Sequence, residues 1–176
     1  GSALEIYRSG VGRCGEEAVF VVNVMRSAGI PARPVYVPRW SHCDDNHAWV
    51  EVWCDGDWHY LGACEPEAVL DKSWFTNAAS RATMIGSRWY DRAMPDEKVI
   101  GKDGMNRIIN LLGKYAKTRW ITITVEDLDG TPAAGAKVRA EVMNYGEFSP
   151  IAIMEADKNG CISFETGFGS LLICAV

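Results

Sequence analysis

The sequence has no C-x-x-C pair, no dense stripe of lysine and arginine, and no apolar run long enough to cross a bilayer. Each absence removes a class of function. The six cysteines, Cys14, Cys43, Cys54, Cys64, Cys161 and Cys174, are irregularly spaced. Neither the paired thiols of a zinc ribbon nor the framework of a small disulfide scaffold is written here. A zinc site drawn from Cys43, Cys54 and Cys64 with His42 or His59 lacks the usual paired spacing. The expectation is therefore no metal, no cofactor, and small, partly buried thiols. With 18 Lys and Arg against 23 Asp and Glu, the net charge is -5, which is not the electrostatic footprint of a nucleic-acid binder. No segment approaches the roughly 18 apolar residues of a membrane span, and no secretory leader, repeat or low-complexity stretch is visible. Gly1-Ser2 has the form of a cloning remnant, and Leu171-Leu172-Ile173-Cys174-Ala175-Val176 breaks off in a strand-like run. The chain reads as a fragment with further domains in its parent, so a missing leader carries no information.

What is present is enough for a core: 176 residues, 48% of them hydrophobic, allow one domain or two small ones. Apolar residues Ala18, Val19, Val21, Val22 and Met25 give 16–28 a helical stripe. Glu16 and Glu17 fall in its first turn, Gly29 is placed for the C-terminal cap, and Pro31 blocks continuation. A strand is expected over 32–37, a polar loop over 38–46, and strands over 47–53 and 58–61 joined by Asp55-Gly56, a strong hairpin signal. Trp74-Phe75 and 80–85 are expected as short elements capping this first core. The polar stretch 96–104 reads as a connector, and 106–116 leans towards strand. From 118 onwards the strands 120–125, 136–144, 151–155 and 161–165, separated by Asp129-Gly130 and Asn159-Gly160 turns, suggest a β-sandwich. The fold class is α+β, with an antiparallel sheet in the first part.

Chemistry concentrates in two places. Cys14 stands at the mouth of the first helix, and His47 opens the strand His47-Ala48-Trp49-Val50-Glu51-Val52. A helix N-terminus carries about half a positive charge, which favours thiolate over thiol, and a nearby imidazolium acts in the same sense. A nucleophile paired with a base is the arrangement of cysteine acyl transfer. The Cys14 amide offers one oxyanion donor, with 11–13 a candidate region for a second. Trp40 and Trp49 are candidates to line a substrate cleft. His42 and His59 are read as structural histidines and Arg81 as a buried structural arginine.

Three stretches, Gly12-Arg13-Cys14-Gly15-Glu16, Ala28-Gly29-Ile30-Pro31-Ala32-Arg33 and Asn46-His47-Ala48-Trp49-Val50-Glu51-Val52, resemble in order and spacing the transglutaminase-like superfamily, which shares the papain-like fold with peptide:N-glycanases. Ala63-Cys64-Glu65 and Asp71-Lys72 most resemble the peptide:N-glycanase branch. The resemblance implies a nucleophilic Cys14, a His47 base and a thioester resolved by water or an amine, on a peptide, protein or glycopeptide substrate. The tail from 118 resembles bacterial carboxypeptidase-regulatory or Ig-like β-sandwich modules, and by that analogy the parent is expected outside the cytoplasm of a bacterium.

The pattern departs at one position. The family's orienting Asp lies four residues after the tryptophan of the second hairpin strand, and here that residue is Gly62. A shifted alignment makes Glu65 the third member. A two-residue loop at Asp55-Gly56 would set His47 opposite Cys64 and turn Glu65 away; one extra residue or a bulge would bring Glu65 across from His47. Three readings follow: an amide-directed acyl transferase or hydrolase, a glycan-directed amidase, and a catalytically degenerate domain that binds or assembles. The expected organisation is a transglutaminase-like domain over 1–104 and a truncated β-sandwich over 105–176.

Overall fold

The computed structural model describes residues 2–90 and 98–176. The chain divides into two compact units: Gly1–Tyr36 with Asn46–Ala78, and Val37–Asp45 with Ala79–Val176.

In the first unit, α1 (Ala3–Ser9) and α2 (Cys14–Ser27) precede β1 (Ala32–Val37), β2 (His47–Cys54) and β3 (Asp57–Leu61). The Glu16 carboxylate accepts from the Arg13 amide at 2.9 Å and so closes the start of α2. At its other end the Gly29 amide donates to the Arg26 carbonyl and the Ile30 amide to the Met25 carbonyl. This Schellman closure needs a left-handed residue, and Gly29 has φ +80. The expected stripe is narrower than the sequence suggested. Ala18 and Val22 are buried against Ala32, Val50 and Val52, with Val21 and Met25 partly so, whereas Val19 is exposed.

The strands lie in the order β3-β2-β1. Asp55 and Gly56 both have positive φ, 52 and 87, the signature of a two-residue type I′ turn. The register is the one such a turn dictates, Cys54↔Asp57 through Val50↔Leu61. Both faces of β2 are covered. Val50 and Val52 meet α2. His47, Trp49 and Glu51 alternate onto the opposite face, where Phe75 stacks on Trp49 at 4.7 Å and Arg33 meets Glu51.

The second unit contains β4 (Gly86–Tyr90), β5 (Val99–Asp103) and β6 (Asn106–Asn110), paired β4-β6-β5, then a 3-10 turn over Leu112–Lys114. Beyond it come β7 (Thr118–Thr124), β8 (Lys137–Asn144), β9 (Glu147–Glu155), β10 (Cys161–Gly167) and β11 (Leu172–Ala175). They form sheets β10-β7 and β11-β8-β9, whose inner residues, among them Val138, Val142, Ile151, Ile162 and Phe164, share one core.

Three expectations change. Of the connector expected over 96–104, residues 96 and 97 lie outside the described residues. From Val99 the chain is a strand, anchored by Ile100 at 2% exposure in the sandwich core. Met84, expected to cap the first core, belongs to that same second core. The boundary expected at 104/105 is displaced. Thr166 Oγ1 donates to the Thr83 carbonyl at 2.9 Å and Asn110 Nδ2 to the Glu165 carbonyl at 2.7 Å, which ties 83–110 to the sandwich strands.

Glu165 is the charged anchor of this unit. Its carboxylate accepts from Lys98 Nζ at 2.6 Å and from Thr118 Oγ1 at 2.5 Å, and the Lys98 and then the Thr118 hydrogen bonds hold its pKa below the ordinary value. A carboxylate depressed in the folded state stabilises above its unfolded pKa, and that stability is lost as pH falls through the folded value. Thr118→Val is therefore expected to cost about 1.5 kcal/mol at pH 7 and to flatten the fall in stability below roughly pH 4.5. Urea unfolding at a series of pH values reads both; an unchanged acid slope would remove Glu165 as the source. Among the described residues, no helix is long and apolar enough to cross a membrane.

Candidate active site

Cys14 is the first residue of α2 and is half-buried. The amides of Glu16 and Glu17 return to the Arg13 carbonyl at 2.9 Å each. The Cys14 amide precedes any carbonyl it could reach within the helix, as first-turn donors do. His47 is the first residue of β2 and only 7% exposed. Its ring lies 4.7 Å from Trp74, 4.9 Å from Phe75 and 5.8 Å from Trp49. Trp74 is the exposed member of the three, at 64%.

Pairing in the hairpin ends at Val50↔Leu61, and β3 ends there too. Extended by one step, the same register would set residue 62 opposite Trp49, on the face that carries His47. That position, where the resemblance implies an acid, is closed to any side chain. A Cβ on Gly62 would stand 2.8 Å from the Glu65 carbonyl oxygen. The chain turns back on itself so tightly that only glycine fits, and the same turn lays a Glu65 carboxylate oxygen 3.3 Å from that Cβ position. Alternation along a continued strand would have pointed Glu65 away; the turn after Leu61 cancels the alternation.

Glu65 is exposed. It accepts from the Trp74 indole N–H at 3.1 Å and from the Cys64 amide at 3.3 Å. Its charge also reaches the first turn of α2: burial, and next the Glu65 carboxylate, push the Glu17 pKa up. Burial, Glu17 and Glu65 push up the Cys64 thiol. Glu65 thus holds the indole that lies against the His47 ring.

The other residues singled out from sequence fall as follows. Trp49 is fully buried beneath Phe75. Trp40 lies in the second unit at 4% exposure, where Asn144 Nδ2 donates to its carbonyl at 3.0 Å. Both are buried, and the exposed tryptophan beside the imidazole is Trp74. Its signal in the sequence was only its place in the expected Trp74-Phe75 element. His59 has a partner the sequence did not show: its Nδ1 is 2.6 Å from Asp71, whose other oxygen accepts from the Tyr60 amide at 2.9 Å. This pair fastens residue 71 to β3. Among the described residues, no group of three His, Cys, Asp or Glu is placed to hold a metal ion.

Residues 1–63 match the family model of the transglutaminase-like superfamily. The matched stretch includes Cys14 and His47 and stops short of Glu65 and Trp74. No curated protein and no solved structure matches the chain.

Proposed function

We propose that the chain performs cysteine-dependent acyl transfer at an amide bond, with Cys14 as nucleophile, His47 as general base and Glu65 in the place of the third member. The observation that carries this is the pair itself. A half-buried thiol starts α2 and an imidazole starts β2, both inside the stretch similar to the transglutaminase-like superfamily. In the proposed reaction Cys14 Sγ adds to the carbonyl carbon as His47 takes its proton. The carbonyl oxygen becomes an oxyanion facing the Cys14 amide. The C–N bond then breaks, and His47 returns the proton to the departing amine. Water or a second amine, deprotonated by His47, attacks the thioester and releases Cys14 as its thiol. The papain-like ancestry, and a peptide or protein as acyl donor, belong to the same reading.

Iodoacetamide supplies the test, because the thiolate is the reacting form. Cys43 is exposed and serves as the internal standard. Cys14 is expected to alkylate at least about tenfold faster than Cys43 at pH 7 and to fall to the Cys43 rate in His47→Asn. Equal rates in the native chain would overturn catalysis and leave a binding or assembly module.

A further inference from the structure

The second unit carries a cleft of about 790 Å3 lined in part by His42, Arg81, Lys114, Tyr115, Lys117 and Phe168. Among the described residues that line it, three are Lys or Arg and none is acidic, in a chain whose net charge is -5. Arg81, expected from sequence to be buried, is exposed, as is Lys117. Among the described residues neither has an ion-pair partner. We propose that this cleft is a binding site for a small, multiply charged oxyanion, a phosphate or a carboxylate compound.

Size, charge and rigidity support this independently. The volume falls within the roughly 300–1,000 Å3 of small-molecule sites. Three cations around one concave space raise the local potential far above that of a surface otherwise net negative. Arg81 also acts across the cleft: burial first, and then the Arg81 charge, push the His42 pKa down, so His42 enters at neutral pH as a neutral hydrogen-bonding ring. Glu165, whose carboxylate lies 3.3 Å from a Cβ position on Gly113, is already compensated by Lys98.

The walls are built before any ligand arrives. Gly167 packs so closely on 82–83 that a Cβ there would stand 2.1 Å from the Ala82 carbonyl oxygen. Its amide donates to the Thr83 carbonyl at 3.0 Å. Arg119 holds the Gly169 carbonyl at 3.0 Å, with its guanidinium 5.6 Å from the Phe168 ring. The 3-10 turn that presents Lys114 is fixed by Leu112, fully buried, whose amide donates to Asn110 Oδ1 at 3.0 Å. A preformed site spends little binding free energy on ordering.

Calorimetric titration with sodium pyrophosphate and, separately, sodium citrate at about 50 mM NaCl tests the site, because ionic attraction at exposed cations is strongest at low salt. One equivalent of one or both is expected to bind with Kd below about 1 mM. The tighter ligand identifies phosphate or carboxylate as the recognised group. Arg81→Gln and Lys117→Gln, both exposed and so compatible with folding, are each expected to weaken binding about tenfold, while Lys158→Gln on the 157–160 turn leaves it unchanged. No saturable binding of either anion, or equal weakening by all three variants, would overturn the proposal. Neither outcome touches the reactivity of Cys14, so this site and the acyl-transfer reading fail separately.

Discussion

Glu51→Leu is expected to lower the stability of the protein by about 3–5 kcal/mol, the cost of leaving one member of a buried ion pair without the other. Glu51 is 1% exposed and Arg33 6%. The guanidinium Nε donates to Glu51 Oε2 at 2.5 Å and stands 4.1 Å above the Trp58 ring. Against a total of about 5–15 kcal/mol for a typical domain, such a loss leaves much of the chain unfolded at 37 °C. Urea denaturation followed by tryptophan fluorescence reads the change, and a loss below about 1 kcal/mol would show that the pair is solvated in solution.

The double variant Arg33→Met, Glu51→Leu separates the worth of the pair from the cost of breaking it. Replacing both charges with apolar groups of similar volume is commonly neutral or stabilising, and Val50, Val52 and Trp49 already make the surroundings of β2 apolar. The double variant is expected to recover most of the loss. Its function at neutral pH should then follow its stability, because neither residue is among Cys14, His47, Glu65 and Trp74.

Much of the first unit was legible because local chemistry and tertiary structure agree there. The α2 stripe, the Gly29 cap and the Asp55-Gly56 turn each follow from residues within a few positions, and of the two registers open to the hairpin the structure takes the one of a two-residue turn. The structure departs from expectation where the signal is weak or non-local. Helix α1 was not expected, yet its start carries a complete capping box: the Ser2 hydroxyl accepts from the Glu5 amide while Glu5 accepts from the Ser2 amide. The strand expected over 151–155 begins earlier, at Glu147. In the structure Pro150 sits at the bulge between Ala140 and Glu141, where a missing N–H is tolerated. Gly62 was read as the loss of an acid. That a glycine at this point lets the next turn fold a different carboxylate back over it depends on chain path, which pattern and period do not encode.

His47→Ala is expected to slow acylation of Cys14 by on the order of 10⁴, the usual size of a triad deletion, and Cys14→Ala to abolish it. p-Nitrophenyl acetate reports the step directly, as a burst of nitrophenolate equal to the concentration of active thiol. Glu65 is expected to act more weakly, because its shown contact with the site runs through an exposed indole: Trp74 lies 4.7 Å from His47 and donates to Glu65 at 3.1 Å. Glu65→Gln keeps an oxygen to accept the indole N–H but removes the charge; Trp74→Phe keeps a ring but removes the hydrogen bond. If Glu65 works by holding Trp74, Trp74→Phe slows acylation about tenfold, Glu65→Gln little, and the double variant no further than Trp74→Phe. If its charge stabilises the imidazolium, Glu65→Gln is the damaging change, its loss is retained in Trp74→Phe, and the pH–rate profile moves with it. A burst unaffected by either substitution would remove Glu65 from the site and leave Cys14 and His47 to work as a dyad.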